Sequence, residues 1–212
     1  MLKNLHWLGH SAFRFDGSKT IYFDPWKLAK GSKMADIILI SHEHFDHFSK
    51  NDIILISSRD TVILTTEAVA KELKAHAVSC NEIRGMSPGD VCEISGIKIE
   101  AVASYNVNKH FHPKDSKKLG FIISVDGVSI YHAGDTDNIP EMKGYRCDVA
   151  LLPVSGTYVM TSDEAVQAAL AIKPKLAIPM HYGEVAGSVK DAKAFQDLLK
   201  DKVEVEILKK EN

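Results

Sequence analysis

The sequence predicts a mixed α/β fold in which two mixed sheets pack face to face with helices outside. Three observations lead there. Short β-prone runs recur along the 212 residues, separated by Gly-containing turn signals. In the later part of each half of the chain, strands alternate with helical segments. The run Ile37 to Ile40 is continuously apolar rather than alternating, as expected of a strand buried on both faces.

The elements follow in order. Leu5 to Leu8, Ala12 to Phe15 and Thr20 to Asp24 read as strands, broken by Gly9-His10 and by Asp16-Gly17-Ser18, the latter suited to a tight hairpin. After the strand Ile37 to Ile40 come a strand at Thr61 to Leu64 and a helix at Thr66 to Leu73, capped by Thr65 or Thr66. Val91 to Ile94 and Ile97 to Ser104 flank Ser95-Gly96, and Phe121 to Val125 and Val128 to His132 flank Asp126-Gly127. Both pairs read as hairpins. Val149 to Leu152 is a further strand. A helix capped by Ser162 runs to Ile172, with Asp163 and Glu164 favourable in its first turn and Pro174 ending it. Leu176 to Met180 is a buried strand, Val189 to Lys200 an amphipathic helix and Val203 to Leu208 a last strand. No linker or low-complexity tract interrupts the order, so residues 1–212 are expected to form a single domain of two similar halves.

Composition narrows the function. Lys and Arg number 26 against 28 Asp and Glu, a net charge of −2, with 45% hydrophobic and 25% charged residues. These values exclude disorder, collagen and coiled coil, and the absence of a basic excess argues against a nucleic-acid partner. The apolar runs are too short to cross a bilayer, and the start of the chain does not read as a signal peptide. Cys80, Cys92 and Cys147 are odd in number and scattered, so they suggest no disulfide framework. A cytoplasmic protein is expected.

Histidine is the exception to this ordinary composition. Ten are present, and three fall within Ser41-His-Glu-His-Phe-Asp-His47. That segment places His42, His44, Asp46 and His47 in one loop just past a buried strand, where layered α/β folds build their sites. Imidazole and carboxylate are ligands of zinc and similar divalent ions. Alternate residues of an extended loop point the same way, so His42, His44 and Asp46 can converge, and His47 can serve a second ion.

This string resembles the HxHxDH signature of the metallo-β-lactamase superfamily, and other motifs extend the resemblance along most of the chain. Trp7-Leu-Gly-His-Ser11 is similar to that superfamily's first strand, and Ile21-Tyr-Phe-Asp-Pro25 to its early strand ending in an acidic residue. Tyr131-His-Ala-Gly-Asp-Thr136 resembles its GD motif and Pro179-Met-His-Tyr-Gly183 its closing histidine. Within the superfamily, the chain most resembles small hydrolases related to the phospho-lactonases and the phospholipase-D-like branch. The resemblance implies a four-layer αββα sandwich with a binuclear site of two divalent ions, Zn2+ first, with Mn2+ or Fe2+ as alternatives. His42 and His44 would bind metal 1; Asp46, His47 and His181 would bind metal 2; Asp135 would bridge them. Asp46 is also the expected catalytic residue, orienting a metal-bound hydroxide or passing a proton to the leaving group. Asp135 and His181 each follow an apolar strand, which agrees with the resemblance.

One position departs from that pattern. Asn106 stands where a third histidine for metal 1 is expected, and Asn is a poor zinc ligand. Metal 1 is therefore expected to be weakly occupied, unless His112 completes it; otherwise His112 is a substrate contact. His110 reads as a loop residue. Asp24 is the candidate partner for a metal-bound histidine's other N–H, with His10 and His132 near the site.

The leading function is a metal-dependent hydrolase cleaving an ester-type bond, a phosphodiester or lactone. The alternatives are a di-iron redox protein and a non-catalytic module with a structural metal. The iron-binding branch carries an acidic residue where His44 stands, which counts against the first; the many convergent ligands count against the second. The segment Asn106 to Leu119 holds Lys109, Lys114, Lys117 and Lys118 against Asp115. It favours a small anionic substrate, contacted by Lys109 and His112, with Lys117 and Lys118 facing water.

Overall fold

Strands follow one another across each sheet in the order in which they occur in the chain, so neighbours are joined by local connections. The computed structural model describes residues 2–211. The fold has two units, one running to Ser87 and including the segment from Lys209 onward, the other Pro88–Leu208.

The first unit carries a six-stranded sheet of β1 (Leu5–Gly9), β2 (Ala12–Asp16), β3 (Thr20–Phe23), β4 (Ile37–Leu39), β5 (Val62–Thr66) and β6 (Glu82–Met86). The pairs β1–β2 and β2–β3 are antiparallel hairpins; the next three pairs are parallel, with Ile21 opposite Ile37, Ile37 opposite Val62 and Val62 opposite Glu82. Parallel neighbours need a crossover, and two of these crossovers are helical: α1 (Lys50–Ile56) and α2 (Glu67–Ala75). The continuous apolar run is buried throughout, as its pattern requires.

Two elements here were not predicted. Helix α1 holds Ile53-Ile54-Leu55-Ile56, a run without helical period. It forms because Ser49 caps it, accepting from Asp52 N, and because Ile53 and Ile56 enter a core of Tyr22, Ile38, Ile40, Ile63, Val69 and Leu73. Strand β6 is half-buried and has no alternation, so only its neighbour β5 defines it. In α2, Thr66 is the cap, accepting from Val69 N, and Val69, Ala70 and Leu73 form the buried face.

The second unit repeats the pattern. Its seven strands are β7 (Val91–Ile94), β8 (Ile97–Ala103), β9 (Leu119–Val125), β10 (Val128–His132), β11 (Val149–Pro153), β12 (Leu176–Met180) and β13 (Glu204–Val205). β7 to β10 form an antiparallel meander, and β10 to β13 are parallel. The crossovers are α3 (Ser162–Ile172) and α4 (Val189–Leu199), which touch each other. The cap of α3 is Thr161, not Ser162 as expected. Thr161 Oγ1 accepts from Glu164 N while Glu164 Oε2 accepts from Thr161 N, a reciprocal pair that works only from one position earlier. Strand β13 is shorter than expected because the chain leaves the sheet after Val205, and Lys210 then bridges to Trp7 of the first unit.

This topology sends chosen loops to one edge of each sheet. In the first unit β1, β3 and β4 run in the same direction, so the residues after them, His10, Asp24 and Ser41 to His47, emerge together. In the second unit β8, β10, β11 and β12 run in the same direction, and their C-terminal ends lead into Ser104 to His112, Asp135, Ser155 and His181. Among the described residues no helix is long and apolar enough to cross a membrane.

Candidate metal centre

Strand ends aim the side chains in the first unit. His10 (φ 51°) and Asp24 (φ 43°) are left-handed non-glycine residues just past β1 and β3, a conformation that costs energy and clusters at functional sites. Register sets Asp24 beside Ser41, since Phe23 pairs with Leu39 and Asp24 N donates to Leu39 O at 2.9 Å. Buried Asp24 then organises the histidine loop. Its Oδ1 accepts from Ser41 N and its Oδ2 from Ser41 Oγ, both at 2.7 Å, and Oδ2 also takes the Nδ1 proton of His47 at 2.7 Å. Ser41 Oγ, having donated to Asp24, accepts from His42 Nδ1 at 2.8 Å. With Nδ1 protonated on both rings, Nε2 is the basic atom of each, the tautomer that a metal ligand needs.

The loop doubles back through His47 N and Phe48 N, which both donate to His44 O. The ring of His42 lies 4.6 Å from that of His44 and 4.2 Å from that of His47. His10 Nε2 is 2.9 Å from Asp46 Oδ2. Ligand atoms of His10, Asp46 and His47 lie within 4.8 Å of one another, as do those of His42 and His44. His10, His42 and His47 are fully buried, Asp46 nearly so and His44 half-buried.

The second unit carries a set of its own. Asp135 Oδ2 is 3.4 Å from His112 Nε2 and 3.2 Å from His181 Nε2, and all three residues are buried. His181 is left-handed (φ 58°) just past β12, and its Nδ1 is hydrogen-bonded to Ser155 Oγ, after the adjacent β11, at 2.9 Å. Asn106 holds His112. Its Oδ1 accepts from His112 N at 3.0 Å and from His112 Nδ1 at 3.1 Å, while its Nδ2 donates to Tyr158 O at 3.0 Å. Again Nδ1 is the protonated nitrogen. Both ends of the Asn106 amide are thus engaged in positioning, which answers why a poor ligand stands there: His112 is the residue beside Asp135. His132 donates no ligand atom to this set; its Nδ1 accepts from Gly134 N. His110 is exposed.

The lysine loop differs from expectation. Lys109 Nζ is held by Asp137 Oδ1 at 2.6 Å and by Glu164 Oε2 at 3.5 Å, so its charge is neutralised rather than offered to a substrate. Asp137 also accepts from Val107 N and Asn108 N and so fixes the segment leading to His112. Lys114 pairs with Glu141, and Lys118 is buried instead of facing water. Sequence reasoning missed Ser41, Ser155 and Asp137, whose only signal was their place beside the motifs.

The donor set is chemically uniform: imidazole nitrogens and carboxylate oxygens, all buried except half-buried His44, with the tautomers of His42, His47 and His112 fixed from behind. That set fits a divalent ion of the zinc class. Cys147 and Tyr182 do not add to this set. Burial pushes the Cys147 thiol up to about 12 and the Tyr182 hydroxyl up to about 12, so both stay protonated at neutral pH.

Comparison with known proteins agrees with this chemistry. The family model described as a β-lactamase superfamily domain matches residues 4–181. A UPF0173 metal-dependent hydrolase of Thermococcus onnurineus is 35% identical over 97% of this chain and 96% of its own. That of Thermococcus kodakarensis is 35% identical over 95% of this chain and 94% of its own. A crystal structure from Parabacteroides distasonis superposes with a TM-score of 0.84 at 34% identity, covering 96% of this chain and 91% of that one. Igni18, a metallo hydrolase of Ignicoccus hospitalis, shares the fold with a TM-score of 0.80 at 24% identity.

Proposed function

Because the chain belongs to the β-lactamase superfamily, and within it to the UPF0173 metal-dependent hydrolases, we propose that it cleaves an ester-type bond, a phosphodiester or lactone, at a binuclear site. Mixed α/β architecture, metal dependence and hydrolysis come with the family. The ester-type substrate, two ions and zinc are the proposal. His42, His44 and His112 would hold one ion, Asp46, His47 and His181 the other, with Asp135 bridging. When bound, the ions supply Lewis-acid polarisation of the scissile group and acidify water at neutral pH.

One observation carries this reading. Each of His42, His47 and His112 gives its Nδ1 proton to an acceptor from its own unit: Ser41, Asp24 and Asn106. Three independently fixed rings with Nε2 as the basic atom are what ligation requires. A set of satisfied core histidines would have no need of a common tautomer. The chain's own part in the reaction is then orientation and proton movement. Asp46, steadied at Oδ2 by His10, orients the attacking water and passes a proton to the leaving group. Asp24, Ser41, Asn106 and Ser155 keep the rings from turning.

Inclusion of His112 removes the reason for expecting a weak metal 1, so zinc titration of the metal-free protein should show two comparable events. His112→Ala should leave one. For the reaction, Asp46→Ala should reduce turnover on a panel of phosphodiesters and lactones at least tenfold while the circular-dichroism spectrum stays native. More than a tenth of the activity in a folded sample would remove Asp46 from its assigned role.

A further inference from the structure

We infer that Phe45 and Trp26 are specificity-determining residues that take up an apolar acyl or aryl portion of the substrate; this rests on the hydrolase reading above and adds the substrate's character to it. Phe45 lies between His44 and Asp46 and is 68% exposed. Its ring meets that of Trp26 edge-on, with centroids 5.9 Å apart at 73°. Trp26 in turn meets His10 at 5.3 Å and 64°, and His10 Nε2 is 2.9 Å from Asp46. A chain of edge-on ring contacts therefore runs inward from exposed Phe45 through Trp26 to buried His10 and the carboxylate assigned to proton transfer.

Trp26 is held in place. The Lys27 ammonium lies 4.1 Å from the Trp26 ring centroid, a cation–π contact. Asp52 accepts from the backbone N–H groups of Lys27 and Leu28 at 2.9 and 3.0 Å, anchoring the segment that carries the indole. The second unit repeats the arrangement on its own ligand loop. Phe111, next to His112 and 50% exposed, packs edge-on against Tyr158 with centroids 4.8 Å apart, and Tyr158 O is the acceptor for Asn106 Nδ2.

Charge does not compete for the role. The loop's Lys109 and Lys114 are tied to Asp137 and Glu141, so beside His112 the loop presents ring surface rather than ammonium. An exposed aromatic pair beside Asp46 suits a substrate with a hydrophobic portion adjoining the hydrolysed bond. Aromatic side chains bind such groups through large, well-ordered area.

The test uses zinc-loaded protein and straight-chain carboxylates from acetate to decanoate, which mimic an ester's acid product. Trp26 is one of two tryptophans, and the other, Trp7, is buried, so indole fluorescence reports on the surface directly. Affinity should rise about three- to fourfold per CH2 group over several carbons, the factor expected for burying methylene. In Phe45→Ala that dependence on chain length should flatten to less than twofold per CH2; Phe45→Leu, which keeps apolar bulk, should retain most of it. Affinity independent of chain length in the native protein, or an unchanged slope in Phe45→Ala, would overturn the inference. The hydrolase reading is judged separately, by turnover of the phosphodiester and lactone panel in the same zinc-loaded sample. Concentration-dependent self-association abolished by Phe45→Ala would assign the ring to contact between copies and likewise overturn it.

Discussion

Asn106 shows how a residue unsuited to bind metal can still govern a ligand. Its side chain has two hydrogen bonds to His112 and one to Tyr158, so replacing it unlocks the imidazole without touching the donor set. Asn106→Ala should weaken one of the two zinc-binding events about 10- to 100-fold, whereas Asn106→Asp, which keeps the acceptor, should change it little. A competition titration against a chelating dye measures both, and an unaltered isotherm for the alanine variant would show that His112 needs no such support. Gly187 acts one step further back. It has φ 66°, and a Cβ there would stand 2.5 Å from Ser155 Cβ, the residue whose hydroxyl holds His181. Gly183→Ala, at φ 83° with nothing within 4 Å, should cost only the backbone term of about 1–2 kcal/mol. Gly187→Ala adds the overlap, about 1–3 kcal/mol more, and should also weaken zinc. Urea unfolding and metal titration of the pair separate the two contributions; equal stability losses would mean that Ser155 moves aside freely.

At the scale of elements, the starts of the parallel strands in the second unit are tied together by Asp148. Its Oδ1 pairs with Lys175 at 2.8 Å, its Oδ2 accepts from Ser129 N and Oγ at 2.8 Å, and its backbone links β10 to β12. The hydrogen bond from Lys175, then those from Ser129, lower its carboxyl to about 2. A depressed folded value means that the stabilisation is complete above the ordinary value near 3.8 and disappears as pH falls through about 2. Native protein should therefore exceed Asp148→Asn in stability by a constant margin at pH 5 to 7, and the margin should close between pH 4 and 2. Unfolding curves across that range test it, and a margin that persists at pH 2 would locate the effect elsewhere. The capping box of α3 permits a simpler check. Thr161→Ala should cost about 1 kcal/mol, seen as a lowered urea midpoint with the slope unchanged.

Across the whole molecule, the proposed ions draw ligands from segments as distant in sequence as His42 and His181. Ions that bind only folded protein stabilise it by mass action, about 4 kcal/mol when free ion exceeds Kd a thousandfold. Chelation should lower the melting temperature by several degrees in calorimetry, and zinc should restore it. His42→Ala and His181→Ala should each diminish that shift although they belong to different units. A melting temperature indifferent to metal would contradict ligation by both.

Much of this was legible in the sequence because it depends on near neighbours along the chain. Hairpins at Asp16-Gly17, Ser95-Gly96 and Asp126-Gly127, and the unbroken apolarity of Ile37 to Ile40, are local patterns, and they located most strands. The resemblance named the candidate ligands Asp135 and His181, and the strands agreed with it, since His42 to His47, Asp135 and His181 all follow such strands. Where local pattern was silent or ambiguous, tertiary structure decided. The isoleucine-rich α1 and the charged β6 take their form from what they pack against. Lys109 and Lys118 looked like a positive surface until folding brought Asp137 to one and burial to the other. The pairing of Asp24 with His47 spans 23 residues, and that of Asn106 with Tyr158 spans 52. The sequence determined which groups could bind a metal. Only the fold determined which nitrogen each histidine presents and whether Asn106 or His112 stands beside Asp135, because a side chain's hydrogen-bond partners are set by strand order and register rather than by its neighbours in the chain.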